Sequence, residues 1–197
     1  MDGIGAIILA AGESKRMGFP KMLLPFHGAT MIENVIANVS ESLVESALVV
    51  LGAEKDKLIE VIKKTTATWC YNYNYKEGML SSVKCGFQNL SLDIKVVLVF
   101  QGDQPLITSD VINSLIESYK SSGKGIVIPV YNGKRGHPLL IDRKYSNDIE
   151  KLDTRDGLRS LAYKFSEDVL VVETECPGIL RDFDTYEEYI NEINQTE

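Results

Sequence analysis

Three stretches, residues 4–9, 47–51 and 95–100, are apolar with almost no polar interruption. A strand with one face in water alternates apolar and polar residues. A continuous apolar run instead marks a strand covered on both faces, as in parallel sheets flanked by helices. Shorter β-branched and aromatic stretches at 66–73, 125–131 and 169–173 read as further strands.

The intervening segments have helical spacing. From Thr30, Met31, Ile32, Val35, Ile36, Val39 and Leu43 fall on one face, and Thr30 with Glu33 has capping-box spacing. Residues 54–64 place Leu58, Ile59 and Ile62 inward. Gly78 breaks the chain before a helix ending near Leu90, with Ser81 or Ser82 as its cap or opening residue. Another helix begins at Thr108 or Ser109, with Val111, Ile112, Leu115, Ile116 and Tyr119 in register. Residues 142–164 read as mostly helical, broken at Asp156-Gly157. A last helix follows Thr185, whose spacing to Glu188 repeats the capping box and whose inward face is Tyr186, Tyr189, Ile190 and Ile193. Trp69, Tyr71, Tyr73 and Tyr75 alternate as core and edge packing on a strand would. Strands alternating with amphipathic helices predict a three-layer α/β/α arrangement around a mainly parallel sheet, as one domain spanning residues 1–197.

The net charge of −7 argues against a general nucleic-acid surface, which needs excess Lys and Arg. Local cations can still serve a small phosphorylated ligand. Cys70, Cys85 and Cys176 are odd in number and lack CxxC spacing, so free thiols in a reducing cytoplasm are expected. The opening MDGIGAIILAAG carries an acidic residue and too short an apolar stretch for a signal peptide or membrane span, so a soluble cytoplasmic protein is expected.

Ligands of open α/β sheets bind beyond the carboxyl ends of the strands. Three polar clusters follow apolar runs: LAAGESKRMGFPK (9–21), with Arg16 and Lys21; Gly102-Asp103-Gln104; and Asp182 with Asp184. If their strands are parallel neighbours, all three share one edge. Glycine-bearing cationic loops present N–H groups and charge to phosphate. Carboxylates beside phosphate imply a divalent cation between them, and a small set of oxygen ligands suits Mg²⁺. GxxxxGK[ST], GxGxxG and GxSxG motifs are all absent, and with only two histidines a hydrolase triad is unsupported.

LAAGESKRMGFPK resembles the LAAGxSxRMGxxK signature of nucleotidyltransferases that move a nucleoside monophosphate onto a phosphorylated acceptor. GMLSSV (78–83), GDQP (102–105), RGHP (135–138), RDGLRSL (155–161) and DFDT (182–185) follow in the expected order, about 180 residues end to end. The pattern is most similar to molybdenum-cofactor cytidylyltransferases and their MobA-like relatives, although Tyr186 stands where the family has proline.

The resemblance implies a Rossmann-like nucleotidyltransferase fold and places Leu9, Ala10, Ala11, Gly12 and Gly102 against the nucleotide, with Ser82 near its base. It puts Arg16 and Lys21 on the phosphates, assigns Asp103, Asp184 and Asp182 to Mg²⁺, and offers His137 as an acceptor contact. It also implies CTP as nucleotide, a molybdopterin-type acceptor, and a molybdoenzyme or its accessory protein downstream. The nearest alternatives are the same reaction with GTP, transfer to a sugar phosphate or another small phosphate, and a non-catalytic chaperone that carries the pterin.

Overall fold

The computed structural model describes residues 3–153 and 157–195, so Arg155 and Asp156 of the RDGLRSL stretch, and the break expected at Asp156, lie outside the described residues. Strand β1 (Gly3–Ala10) is followed by the polar loop, a 3-10 turn at Lys21–Leu23 and a hairpin of β2 (Pro25–Phe26) and β3 (Ala29–Thr30). Helix α1 (Met31–Ser40) leads to β4 (Ser46–Leu51), and α2 (Lys55–Ile62) to β5 (Thr68–Tyr71). Next come α3 (Met79–Asn89), β6 (Ile94–Gln101), α4 (Ser109–Ser122) and β7 (Ile126–Tyr131). The short β8 (Lys134–Arg135) turns the chain into β9 (Leu139–Asp142). Helices α5 (Ser146–Lys151) and α6 (Arg159–Lys164) precede β10 (Val169–Glu173) and α7 (Tyr186–Gln195).

The sheet runs β10-β7-β9-β6-β1-β4-β5, with β8 paired to β7. Strand β1 is parallel to both β4 and β6, β4 to β5, and β10 to β7, while β9 is antiparallel to β6 and β7. The central runs are buried because each residue parity meets a helical layer. Ala6 and Ile8 join Ile32, Ile36, Leu58 and Ile112 on one face; Ile7 and Leu9 join Leu80, Val83, Phe87 and Leu161 on the other. A third cluster of Met17, Phe26, Met31, Phe183 and Tyr189 ties the opening loop to the C-terminal segment.

Two local rules hold as expected. The Thr30 hydroxyl accepts the Glu33 N–H at 3.4 Å and Glu33 accepts the Thr30 N–H at 2.8 Å, closing the capping box. Thr185 and Glu188 do the same, with N–H bonds of 2.9 and 3.2 Å.

Five local expectations need correction. Helix α1 ends at Ser40, so Leu43 is exposed rather than inward. The residue at the head of α3 is Gly78, with φ 103° in the region that favours glycine, so Ser81 and Ser82 lie inside the helix instead of capping it. Tyr73 and Trp69 are exposed, and Tyr75 leaves the strand for a 3-10 turn at Tyr75–Glu77. Tyr186 is exposed as well, meeting Phe19 edge-on at 5.5 Å. Finally, β10 is not a neighbour of β6, because β7 and β9 lie between them.

The three cysteines are free. Cys70 and Cys85 lie 3.7 Å apart, and burial together with Cys85 pushes the Cys70 thiol up to about 12.

Asp168, at the entry to β10, holds Lys144 at 2.8 Å and accepts the Tyr145 hydroxyl. Burial opposes its charge, but the Lys144 and Tyr145 bonds win and bring it down to about 2. A carboxyl held below its unfolded value near 3.9 adds stability above that value and loses it as pH falls towards 2. Asp168→Asn is therefore expected to cost on the order of 1 kcal/mol at neutral pH, since water screens the half-exposed Lys144. Urea midpoints of the two proteins should converge between pH 4 and pH 2.

Candidate active site

The site forms where two parallel strands end together. Leu9 of β1 stands opposite Gln101 of β6, and the Gly102 N–H donates to Leu9 O at 2.9 Å. A Cβ on Gly102 would lie 3.0 Å from Leu9 O and 3.1 Å from Met22 Sδ. Glycine therefore lets the chain hug the opening loop and deliver Asp103 beside it. The loop curls back through Ser14, whose carbonyl accepts Met17 and Gly18 N–H groups and whose hydroxyl accepts the Lys21 N–H at 3.3 Å.

The third cluster reaches the same place by crossing back over the sheet. After β10, a 3-10 turn at Pro177–Leu180 packs against β7 and the loop residues Leu106 and Gly136. Gly178 and Gly136 permit this closeness: a Cβ on Gly178 would lie 2.7 Å from Leu106 C, and one on Gly136 2.8 Å from Ile179 C. The His137 N–H donates to Ile179 O at 3.0 Å. Phe183 is then buried, so the residues flanking it, Asp182 and Asp184, stay near the surface.

Lys21 donates to Asp103 and, at 3.0 Å, to Asp184, while Arg16 pairs with Asp184 at 2.7 Å. Burial disfavours the Lys21 ammonium, yet Asp103 and Asp184 outweigh it and hold the group charged above the ordinary lysine range. Asp184 is likewise partly desolvated, and Lys21 and Arg16 keep its carboxyl below the usual range. Desolvation and the Asp103 and Asp184 carboxylates push Asp182 up. Asp103, Asp182 and Asp184 each offer an oxygen within 4.8 Å of the others. Three convergent carboxylates with no nitrogen or sulfur donor fit a hard divalent cation.

Beside this charge lies a cleft of about 250 Å³. Leu9, Ala11 and Gly12 form one wall, and Tyr75, Gly78, Met79 and Ser82 another, with Lys21, Met22, Gln101 and Asp103 completing it. Ala10 points into the core instead, and Gly102 is buried beneath Asp103. His137 lies outside the lining, against Gln101 at 3.2 Å. Burial and then Arg159, opposed by Asp182, bring His137 down to about 4, so it is neutral at neutral pH.

Met22, Tyr75, Met79 and Gln101 were not expected from the sequence. For Tyr75 and Met79 the available signal was Gly78: a glycine with positive φ directly before a helix marks a turn that brings its neighbours to the sheet edge. Met22 and Gln101 carry no such mark.

Residues 6–169 match a family model described as the MobA-like NTP transferase domain. The molybdenum cofactor cytidylyltransferase of Escherichia coli (strain K12) is 28% identical over 192 residues, covering 96% of this chain and 95% of that protein. A probable molybdenum cofactor guanylyltransferase of Methanosarcina acetivorans is 29% identical over 184 residues, covering 88% and 80%. Among solved structures, Rv0371c of Mycobacterium tuberculosis H37Rv in complex with manganese is similar in fold, with a TM-score of 0.79, 19% identity and coverage of 96% and 97%.

Proposed function

The chain belongs to the family of MobA-like NTP transferase domains, and from that premise we propose that it transfers CMP from CTP to a molybdopterin-type phosphorylated acceptor, releasing pyrophosphate. The single observation that carries this reading is the meeting of Lys21, Asp103 and Asp184, from three distant stretches, at the cleft lined by the opening loop. A surface that only bound a pterin would have no need of that set.

In the proposed reaction an oxygen of the acceptor's phosphate attacks the α-phosphorus of CTP. A new P–O bond forms as the bond to the β-phosphate oxygen breaks, and the electron pair leaves with pyrophosphate. The attacking phosphate is already ionised near neutral pH, with a second pKa of roughly 6, so no general base is required. The work left to the protein is positioning and charge neutralisation. Leu9, Ala11 and Gly12 line the nucleotide, and Arg16 and Lys21 face its phosphates. Asp103 and Asp184, with Asp182, would hold Mg²⁺, which when bound offsets the negative charge of triphosphate and carboxylates. The manganese complex of the structural relative supports a divalent ion in such a fold. His137 would contact the acceptor as a neutral group.

Among the described residues no helix is long and apolar enough to cross a membrane. We place the enzyme in the cytoplasm, handing its product to a molybdoenzyme or its accessory protein. A second reading, GTP as the nucleotide, is favoured by the guanylyltransferase relative. The experiment is pyrophosphate release with purified protein, Mg²⁺, molybdopterin-type cofactor and each NTP in turn. Release with CTP is expected. Release with GTP alone would move the reading to guanylyl transfer, and no release with any NTP despite pterin binding would make the protein a carrier.

A further inference from the structure

We propose that Asn72 is a positioning residue that turns the Ser82 hydroxyl into a hydrogen-bond donor towards ring position N3 of the base, and so selects cytosine. This rests on the CTP reading above.

Asn72 follows β5 and is 5% exposed. Its Oδ1 accepts the Asn74 N–H at 2.9 Å. Because a backbone N–H can only donate, that bond fixes which way the amide faces, and Nδ2 must point to the other side. There it donates to Ser81 Oγ at 2.9 Å and to Ser82 Oγ at 3.0 Å, using both amide hydrogens. Ser81 has acceptors for its own proton, Gly78 O at 2.8 Å and Asn74 O at 2.9 Å.

Ser82 differs from its neighbour. It is 3% exposed, lines the cleft and accepts from Asn72, but it donates to no group among the described residues. A buried donor without an acceptor costs about 1–3 kcal/mol, whereas a spare oxygen lone pair is tolerated more readily. What the hydroxyl lacks is therefore an acceptor on the cleft side.

Cytosine offers one: its N3 is an unprotonated ring nitrogen. At the corresponding ring position uracil N3 and guanine N1 both carry hydrogen, so a donor there would face a donor. Sites built to hydrogen-bond one pattern reject the reversed pattern strongly, because buried groups are left unpaired. Without Asn72 the hydroxyl would be free to rotate and serve either pattern.

The test compares Kd values of CTP and UTP, which carry the same triphosphate, for the wild type, Asn72→Asp and Ser82→Ala. Asn72→Asp keeps the side chain's shape and the Asn74 bond but puts an oxygen in place of the donating Nδ2, and that oxygen then accepts the Ser82 proton. Its added charge weakens both nucleotides alike and cancels in the ratio. The expected result is a wild-type preference for CTP that falls about tenfold or more in both variants, with thermal melts confirming that they fold. Wild-type protein should also bind 3-deazacytidine triphosphate, which has C–H at ring position 3, about tenfold more weakly than CTP. That arm needs no variant to fold. A CTP preference unchanged in folded Asn72→Asp, or equal binding of the deaza analogue, overturns the role of Asn72 and Ser82 and leaves the CTP reading standing. A wild-type preference for GTP overturns both.

Discussion

Asp103→Asn should lower nucleotidyl transfer by about 10²–10³-fold, the usual scale for removing one preorganised charge at a reacting centre. The substitution preserves shape, so the loss reports charge. Asp103 is the buried member of the carboxylate set, 4% exposed, and it follows closely on the end of β6 at Gln101. Folding should survive, because Lys21 keeps Asp184 at 3.0 Å and its ammonium is not left unpaired. Turnover measured across a Mg²⁺ titration, beside a thermal melt, checks both halves. Turnover within threefold of wild type in a folded protein would remove Asp103 from the metal set.

The second large effect is expected at a position with no charge at all. Gly52 follows β4 and packs against the opening loop, where the Ala53 N–H donates to Ala11 O at 3.2 Å. A Cβ on Gly52 would stand 2.8 Å from Ala11 Cβ and closer still to Ala11 O. Both contacts are on or next to backbone, so no flexible side chain can give way. Gly52→Ala should cost about 1–3 kcal/mol of stability, as overpacking does, and lower the melting temperature by several degrees. The displaced wall, Leu9 to Gly12, is the proposed nucleotide wall, so KM for CTP should rise more than kcat falls. Melting and KM both unchanged would show that the loop shifts at no cost and is not a rigid wall.

The central sheet was legible in the sequence because strands buried on both faces must be apolar throughout, as residues 4–9 and 96–100 are. Caps were legible for a similar reason: Thr30 with Glu33 satisfies donors locally, whatever the tertiary context. What escaped was set by contacts distant in sequence. Strand β9 is antiparallel between β6 and β7, and nothing in its letters distinguishes it from a parallel strand. The meeting of the three polar clusters was foreseen, but for the wrong reason. Asp182 and Asp184 arrive by the crossing turn at Pro177–Leu180, not on a strand beside β6. Tyr75 was misread because a period-two pattern cannot show where a strand stops. The Asn72 to Ser82 bonds escaped as well, since an asparagine after a strand ordinarily reads as turn chemistry.

The late position of Asp184 in the chain sets the order in which the parts of the site are synthesised. Lys21 and Asp184 are 163 positions apart, and the segment carrying Asp184 packs through Phe183 onto Phe26 and Met31 near the start of the chain. A growing chain therefore contains the segments of β1, β4 and β6, and with them the opening loop and Asp103, before Asp184 has been added. Lys21 can meet its second partner only once Asp184 has been synthesised. The charge cluster at the cleft is therefore complete only after the segments carrying β1, β4 and β6 have been made.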